Sequence, residues 1–454
     1  MALIDLDLDA PPDRSGGRRP PPWRYRHLGL VVAAALLLAL GGAAPGGGTF
    51  WRPLGLIPAE AGTEAPIQMA GGRAFTVASA GRARILTAWA LEPAPHRLWT
   101  AEVPISASFD PVNGVFGVVR VERFGGLLVL TAGLSSSVLD AETGRVRWTT
   151  PMRITASSGG TALVTERIFR PGTLYDQDSG DPGMLYFSAD GQPHTEPPLR
   201  TEVRGLDLAS GAVLWTAAPG GSVTAEPVAG DRPAVLITAS DRMTLRDART
   251  GEVLREAGLP EMAGAGPGSS EVLDDVALIG YPEAGLEVGY DAHTLNRLWT
   301  RDLNAGADPV NCAGLLCSGS GEVAGGGEVR VLDRRTGKTA WTRPYDVALA
   351  VRAGWVLESR PASGAPVRLV DATTGEPRLE LRGWTGQVDG FAAHVLLVWR
   401  GDRSGGRVFG AVLPGQPEVR VLGTAEGLGG ECGGDERYVI CRDVRGLRVW
   451  AYRI

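Results

Sequence analysis

The stretch Val331–Trp341, VLDRRTGKTAW, predicts the fold because close copies of it recur along the chain. The same spacing, D-x3-G-x3-W, occurs in VLDAETGRVRW at Val138–Trp148 and in GLDLASGAVLW at Gly205–Trp215. The repeated positions of these copies are Asp140, Gly144, Trp148, Asp207, Gly211, Trp215, Asp333, Gly337 and Trp341. Copies without the Gly or the Trp are LRDARTGEVLR (Leu245–Arg255), GYDAHTLNRLW (Gly289–Trp299) and LVDATTGEPRL (Leu369–Leu379). Their period of roughly 40 to 50 residues predicts a propeller, a solenoid or an array.

Each copy has the pattern of a β-hairpin, in which an apolar strand ends at the Asp and the next strand carries the Trp. The Asp carboxylate can accept hydrogen bonds from backbone N–H groups of a tight turn, and the Gly allows the positive φ at which the chain reverses. The indole can pack between neighbouring sheets while its N–H bonds to a backbone carbonyl. We therefore expect these residues to build the sheets, with a place in a ligand site as the alternative. Radial repetition of such sheets protects their edges and predicts an all-β propeller.

The repeat resembles the pyrroloquinoline-quinone (PQQ) repeat of the quinoprotein dehydrogenases. It also resembles the BamB-type propellers of the outer-membrane assembly machinery, which carry this repeat without holding the quinone. The resemblance extends over nearly the whole chain after about residue 70 and implies four-stranded blades. As evidence for the fold it is specific, whereas the repeat alone does not imply the cofactor.

The repeat copies predict a β-propeller of about eight four-stranded blades, with seven blades as the alternative. The copies end near Trp99, Trp148, Trp215, Arg255, Trp299, Trp341, Leu379 and Val421. A last hairpin follows at Tyr438–Cys441 and Leu447–Trp450. In the family, a segment from one terminus completes a blade made by the other. The resemblance therefore implies that this hairpin pairs with a strand from Phe50–Ile57 or from Ile67–Ala80.

An apolar run without charge, Leu28–Ala44, precedes the repeats and follows several basic residues. At about 17 residues it is near the lower length limit of a transmembrane helix. The positive-inside rule then places the N-terminus in the cytoplasm and the propeller outside the cell membrane, as a single-pass protein. A cleaved signal peptide is the alternative, although the preceding segment is long and Pro45 is a poor first residue for a mature chain. No Cys follows the run, so the chain differs from the BamB-type protein, which is a lipoprotein.

These features predict a disordered cytoplasmic tail (residues 1–27), a transmembrane helix (28–44), a linker (45–65) and the propeller (66–454). The first ten residues alternate apolar and acidic side chains, so a short strand that adds to a partner's sheet is an alternative to disorder there. Lys338 is the single Lys among many Arg residues, which indicates a GC-rich genome and an actinobacterial source.

Four Cys residues lie on the extracytoplasmic side of the predicted helix. The simplest of the three possible pairings joins near neighbours, Cys312 with Cys317 and Cys432 with Cys441. An oxidising compartment favours disulfides. A zinc site is the alternative, but no His is near in sequence and the spacings do not suit one.

The longest interruption of the repeat is the segment Phe169–Leu199. It contains Asp176, Asp178, Asp181 and Asp190, but the spacing lacks the full pattern and the closing Glu of a calcium loop. We expect an exposed loop between strands. Because function is concentrated in such loops, it is the best candidate for a partner-binding insertion.

Little in the sequence indicates catalysis. The five His residues are scattered, and no haem-attachment, nucleophile-elbow or phosphate-loop motif occurs. The quinoprotein resemblance implies a vicinal Cys pair, calcium ligands and a catalytic Asp, yet no adjacent Cys pair exists and no residue can be assigned to the other roles. We therefore predict no catalytic, cofactor-binding or metal-binding residues.

The net charge of -6, with both signs mixed along the chain, argues against nucleic acid as a partner. The sequence predicts a membrane-anchored, non-catalytic extracytoplasmic module that binds a protein or cell-envelope partner as a scaffold. One alternative is a sensor that signals through the N-terminal tail. The other is a PQQ-dependent oxidoreductase with calcium, which rests on fold analogy alone.

Overall fold

In a computed structural model, the chain forms a propeller of nine β-sheets, each one a blade. The structure describes residues 50–58, 67–80, 83–104, 119–132, 135–156, 159–168, 186–187, 193–194, 199–219, 223–303, 312–319, 327–344, 346–390, 394–413, 415–416 and 418–454. The strands of most blades follow one another in the sequence and pair antiparallel with their neighbours.

The first strand, β1 (Phe50–Pro58), is separated from blade 1 and belongs to blade 9. Blade 1 consists of β2 (Gln68–Ala70), β3 (Arg73–Ala80), β4 (Ala83–Ala90) and β5 (His96–Pro104). Blade 2 consists of β6 (Val119–Phe124), β7 (Leu127–Ala132), β8 (Ser135–Asp140) and β9 (Val146–Thr150). Blade 3 consists of β10 (Thr155–Ala156), β11 (Thr161–Ile168), β14 (Arg200–Asp207) and β15 (Val213–Ala217), with a separate hairpin of β12 (Tyr186–Phe187) and β13 (Pro193–His194) between its strands.

The next three blades contain the middle of the chain. Blade 4 consists of β16 (Thr224–Val228), β17 (Ala234–Thr238), β18 (Arg242–Asp247) and β19 (Val253–Gly258). Blade 5 consists of β20 (Ser269–Leu273), β21 (Val276–Tyr281), β22 (Leu286–Asp291) and β23 (Arg297–Asp302), with a short 3-10 helix at Pro282–Ala284. β24 (Cys312–Ala313) pairs in parallel with the innermost strand of blade 7, and blade 6 shows β25 (Cys317–Gly319), β26 (Glu328–Leu332) and β27 (Thr339–Pro344).

The last three blades complete the ring. Blade 7 consists of β28 (Ala348–Arg352), β29 (Trp355–Ser359), β30 (Pro366–Val370) and β31 (Pro377–Glu380). Blade 8 consists of β32 (Gly386–Gln387), β34 (Leu396–Gly401), β35 (Arg407–Val412) and β36 (Arg420–Ala425), and β33 (Asp389–Gly390) pairs in parallel with blade 9. Blade 9 consists of β37 (Cys432–Gly434), β38 (Tyr438–Asp443), β39 (Gly446–Arg453) and, outermost, β1.

Blade 4 illustrates how the sequence forms a blade. β17 has the sequence AVLIT, and every residue of it is buried, because the second strand of a blade is covered by a neighbouring blade on each face. β19, the outermost strand, has the sequence VLREAG and is mostly exposed. The β-branched and apolar residues therefore occupy the middle of each sheet, and the charged residues lie at the rim.

The blades close into a complete ring. The buried apolar residues form nine clusters, and each cluster joins one blade to the next, including blade 9 to blade 1. The closing cluster brings Leu54, Ile57 and Tyr438 of blade 9 against Met69 and Trp89 of blade 1. Nine clusters between nine sheets leave no blade without two neighbours.

The expectation of eight blades is wrong. The eight repeat copies each end one blade, and the last hairpin is not part of any of them but is itself a ninth blade. β1 completes it by pairing antiparallel with β39, from Phe50 opposite Arg453 to Pro58 opposite Gly446. Of the two proposed partners of the hairpin, Phe50–Ile57 is confirmed, while residues 67–80 form the inner strands of blade 1. β1 lies inside the stretch predicted as linker, so the propeller begins at this strand.

In the part of the chain that the structure describes, no helix is both long enough and apolar enough to cross a bilayer. The predicted transmembrane segment Leu28–Ala44, the tail before it and the insertion residues Asp176, Asp178, Asp181 and Asp190 lie outside the described residues.

Candidate functional site

The Asp of each repeat copy is used by its own turn. The Asp333 carboxylate accepts hydrogen bonds from the Thr336 N–H and hydroxyl, both at 2.8 Å. The Asp207 carboxylate accepts the same two bonds from Ser210, at 2.8 and 2.6 Å. The hydroxyl bonds, followed by the backbone bonds, lower the pKa of both carboxyls. These carboxylates are therefore used as turn-forming groups.

The Trp of one blade contacts the turn of the next blade at five joints. The indole N–H donates to the carbonyl of the residue after the Asp, at distances of 2.7 to 3.2 Å. The donor and acceptor pairs are Trp99 and Ala141, Trp148 and Leu208, Trp215 and Ala248, Trp299 and Arg334, and Trp341 and Ala372. This indole contact and the apolar cluster of the joint together fix each of these blades to its successor.

The Gly of the repeat is required by the same contact. Gly211 has a φ of +74°, and a β-carbon there would lie 2.7 Å from the Trp148 ring. Gly337 has a φ of +66°, and a β-carbon there would lie 2.7 Å from the Trp299 ring. Any larger residue would both strain the backbone and displace the indole. In the structure these repeat residues take part in the turns and in the joints between blades.

The four Cys residues form the two predicted disulfides. Cys312 pairs with Cys317, and Cys432 pairs with Cys441. The second bridge joins directly opposed residues of β37 and β38, the two inner strands of blade 9. Both bridges are local and stabilise single blades or joints; neither is the vicinal pair of a quinoprotein site.

The turns that carry the Asp and Gly lie on one face of the ring, which we call the turn face. It contains the turns between the first and second strands and between the third and fourth strands of each blade, since these leave an antiparallel sheet at the same edge. Ion pairs cross between blades here: Arg73 of blade 1 contacts Glu142 of blade 2 at 2.5 Å, and Arg335 of blade 6 contacts Asp275 of blade 5.

Cavities between described residues open on the turn face. One of about 520 Å³ lies over blade 3, between Phe124 and Leu127 of blade 2, Leu214 of blade 3 and Arg249 of blade 4. A second of about 610 Å³ lies at the joint of blades 4 and 5, and a third of about 400 Å³ lies beside blade 9. Residues from neighbouring blades line each cavity, so sequence patterns within one repeat do not reveal them.

Side chains from the innermost strands bridge some joints around the central channel. The side-chain oxygen of Gln68 in blade 1 accepts a hydrogen bond from the backbone N–H of Val121 in blade 2, at 3.1 Å. A carboxylate, Glu226, takes the same position between blades 4 and 5, where it accepts the Val272 N–H. Burial raises the pKa of Glu226, although the bond from Val272 opposes the shift. These bridges explain the polar residues of the inner strands as joint-forming groups.

Among the described residues no group of three or more His, Cys, Asp and Glu side chains could hold a metal ion. Glu358, a fully buried carboxylate, is held between Arg343 of blade 6 and Arg368 of blade 7, the latter at 2.7 Å. This Arg–Glu–Arg triad lies at a joint, where one carboxylate is paired with two guanidinium groups. Removing one partner of such a group is costly, which assigns it a structural role.

Comparison with known proteins finds one family model. Residues 199–348 match the family described as outer membrane protein assembly factor BamB. This segment contains β14 and β15 of blade 3 and all of blades 4 to 6. No curated protein matches the sequence.

Several solved structures are similar in fold. BamB from Moraxella catarrhalis is 16% identical, with 89% of this chain and 98% of that one covered and a TM-score of 0.38. The quinohemoprotein alcohol dehydrogenase ADHIIG from Pseudomonas putida HK5 is 13% identical, with 80% and 63% covered and a TM-score of 0.35. The quinohemoprotein alcohol dehydrogenase from Comamonas testosteroni is 14% identical, with 85% and 66% covered and a TM-score of 0.34.

Proposed function

We propose that this β-propeller of PQQ-like repeats is a non-catalytic module that binds a protein or cell-envelope partner on its turn face. One observation carries the proposal: the repeated Asp, Gly and Trp residues are used in turns and joints, whereas cavities between blades remain open on that face. Open cavities lined by several blades are where a propeller can bind without any catalytic group.

The family match favours the same class of function. The matching model is described as an outer membrane protein assembly factor, and such a role belongs to partner binding and not to catalysis. The match is limited to residues 199–348, which include the walls of the cavity at blades 4 and 5 and part of the cavity over blade 3.

We further propose that the chain is anchored in the cell membrane by Leu28–Ala44, with the propeller outside. Two disulfides are in keeping with an oxidising compartment, because such bonds are rare in the cytosol. A protease-accessibility assay on intact cells tests this: the propeller should be cleaved from outside, and full protection would contradict the orientation.

Site-specific photo-crosslinking of the full-length chain in its native membrane tests the binding face. A photoreactive residue replaces Arg249, an exposed turn-face residue beside the cavity over blade 3, or Arg403, an exposed residue of a turn on the opposite face. Because both are exposed arginines in turns, they are matched controls. A discrete adduct with a partner should form from position 249 and not from 403. Adducts from neither position, or from both equally, would contradict the proposal.

The sensor and oxidoreductase alternatives make different demands. A sensor needs the tail, so deletion of Ala2–Asp9 would change a cellular response if that alternative holds. A PQQ-dependent oxidoreductase would bind the quinone with calcium and be stabilised by it. No described residue cluster favours this second alternative.

A further inference from the structure

The first strand of blade 6 in chain order is paired with the neighbouring blade. In blade 9 the first strand pairs with the second, since β37 lies antiparallel to β38. β24 precedes β25 in the same way, yet it pairs in parallel with β28 of blade 7, with Cys312 opposite Leu349. The described strands form no ladder between β24 and β25, and the Cys312–Cys317 disulfide joins them instead. This bond therefore links a strand held by blade 7 to a strand of blade 6.

The disulfide of blade 9 has a different setting. Cys432 and Cys441 lie directly opposite each other in the ladder of β37 and β38, and their exposed fractions are 5% and 0%. Cys312 and Cys317, by contrast, are both partly exposed. Thiol–disulfide exchange requires the attacking thiolate to reach a sulfur atom. The two disulfides of the chain therefore differ in their access to a reductant.

Loss of the Cys312–Cys317 bond would free β24 without opening the ring. β24 is two residues long, so its pairing with β28 has little stability of its own. The joint between blades 6 and 7 has separate contacts: the Trp341 indole N–H donates to the Ala372 carbonyl at 3.0 Å, and Glu358 is held by one Arg from each blade. The bond therefore controls one short segment and not the propeller.

This segment lies at the inner edge of blade 7. β28 is the innermost strand of that blade, and β24 lies beside it toward the central channel, where Ala313 and Gly314 are exposed. Leu316 is buried in the apolar cluster between blades 5 and 6, and its carbonyl accepts the Leu332 N–H at 2.8 Å. Release of β24 would therefore change the channel wall at blade 7, while Leu316 keeps the segment attached to blade 6.

We propose that the Cys312–Cys317 disulfide is a redox switch opened by a dithiol, as a thiol–disulfide oxidoreductase would supply. A thiolate of the dithiol attacks one of the two sulfur atoms, the S–S bond breaks, and the released Cys takes up a proton. The second thiol of the dithiol then displaces the remaining Cys, so two electrons pass to the chain and the dithiol becomes a disulfide. The reduced chain keeps its nine blades and loses the pairing of β24 with blade 7.

Thiol trapping of the full-length chain in lipid nanodiscs tests the difference between the two disulfides. The chain is incubated with dithiothreitol under native conditions, and samples are acid-quenched, denatured, alkylated with N-ethylmaleimide and analysed by peptide mass spectrometry. We expect Cys312 and Cys317 to be reduced together, at least about tenfold faster than Cys432 and Cys441, because the sulfur atoms of the first pair are accessible. The blade 9 disulfide is the internal control, and equal rates of reduction would overturn the inference.

Hydrogen exchange of the same samples tests the structural effect. Reduction should speed amide exchange in β24 at least about tenfold and leave β38 unchanged, because the bond restricts local opening of this segment alone. Oxidised glutathione should restore the slow rate. The variant Cys312→Ser with Cys317→Ser should exchange at the fast rate without reductant, and the wild-type comparison does not depend on it. Unchanged exchange in β24 after reduction, or loss of protection in every blade, would each contradict the switch.

Discussion

The contact between Trp215 and Gly251 allows the joint chemistry to be tested quantitatively. Trp215 is buried and donates its indole N–H to the carbonyl of Ala248, itself fully buried, at 2.8 Å. Trp215→Phe removes the donor and leaves a buried carbonyl unpaired, which costs about 1–3 kcal/mol. Trp215→Ala also creates a cavity and costs about 3–5 kcal/mol.

Gly251→Ala tests the other half of the contact. The residue has a φ of +71°, so a side chain there costs about 1–2 kcal/mol of backbone strain. The added β-carbon would also press into the Trp215 ring, and overpacking of this kind costs about 1–3 kcal/mol more. Gly125→Ala is the matched control: Gly125 has a φ of +61° and open space around the β-carbon position, so only the backbone cost applies.

A double-mutant cycle on the full-length chain separates these terms. The whole side chain must be removed by Trp215→Gly, because the Trp215 β-carbon itself lies 2.6 Å from the one added at position 251. In that background the cost of Gly251→Ala should fall to that of Gly125→Ala, a coupling of about 1–3 kcal/mol. The readout is the free energy of unfolding in urea, followed by circular dichroism. Equal costs of Gly251→Ala and Gly125→Ala in the wild-type background would refute the reasoning, because the indole would then not require the Gly.

Three further predictions follow from the joints and turns. Glu226→Gln should stabilise the chain at pH 7 and have no effect below about pH 4, because burial raises the pKa of Glu226 and its ionisation costs stability as the pH rises through that pKa. Gln68 shows that an amide can make the same bridge. A lower free energy of unfolding in urea at pH 7 would contradict this prediction. Burial alone would raise the pKa of Asp247, but hydrogen bonds from Thr250 and Arg232 hold that pKa at about 2. The contribution of the Asp247 carboxylate to the free energy of unfolding is therefore present above about pH 4 and is lost as the pH falls from about 4 toward 2. Asp247→Asn should therefore flatten acid unfolding, whereas the exposed Asp231→Asn should not, and identical acid profiles would count against the turn assignment. PQQ with calcium should leave the melting temperature unchanged, and a saturable rise would revive the oxidoreductase alternative.

The repeat could be predicted from the sequence because its chemistry is local. The spacing of Asp333, Gly337 and Trp341 depends on one turn and the strand after it, and each takes part in that turn or in a joint to a neighbouring blade. The pairing of Cys432 with Cys441 could be predicted for the same reason, since they lie opposite each other in one hairpin. The count of blades could not, because blade 9 has no repeat phrase and is completed by β1 from the other end of the chain.

The cavities could not be predicted because their walls come from different blades. The departures Arg255 and Leu295 are visible in the sequence, each as a fault in a different copy of the repeat. Their dependence on each other appears only when Trp215 and Gly251 show that the Trp of one blade contacts the Gly of the next. The polar bridges of Gln68 and Glu226 were missed because the innermost strands carry no recurring phrase. A search for the residue pair that joins consecutive copies would have found the altered joint.

The chain closes as nine blades, with the indole contact at five joints and Arg255 in place of the indole between blades 4 and 5. A cryo-electron microscopy map of the full-length chain in nanodiscs tests it most directly. We expect nine blades, β1 as the outer strand of blade 9, and Arg255 beside an open cavity. A ring of eight blades with the Tyr438–Trp450 hairpin outside it would contradict the account.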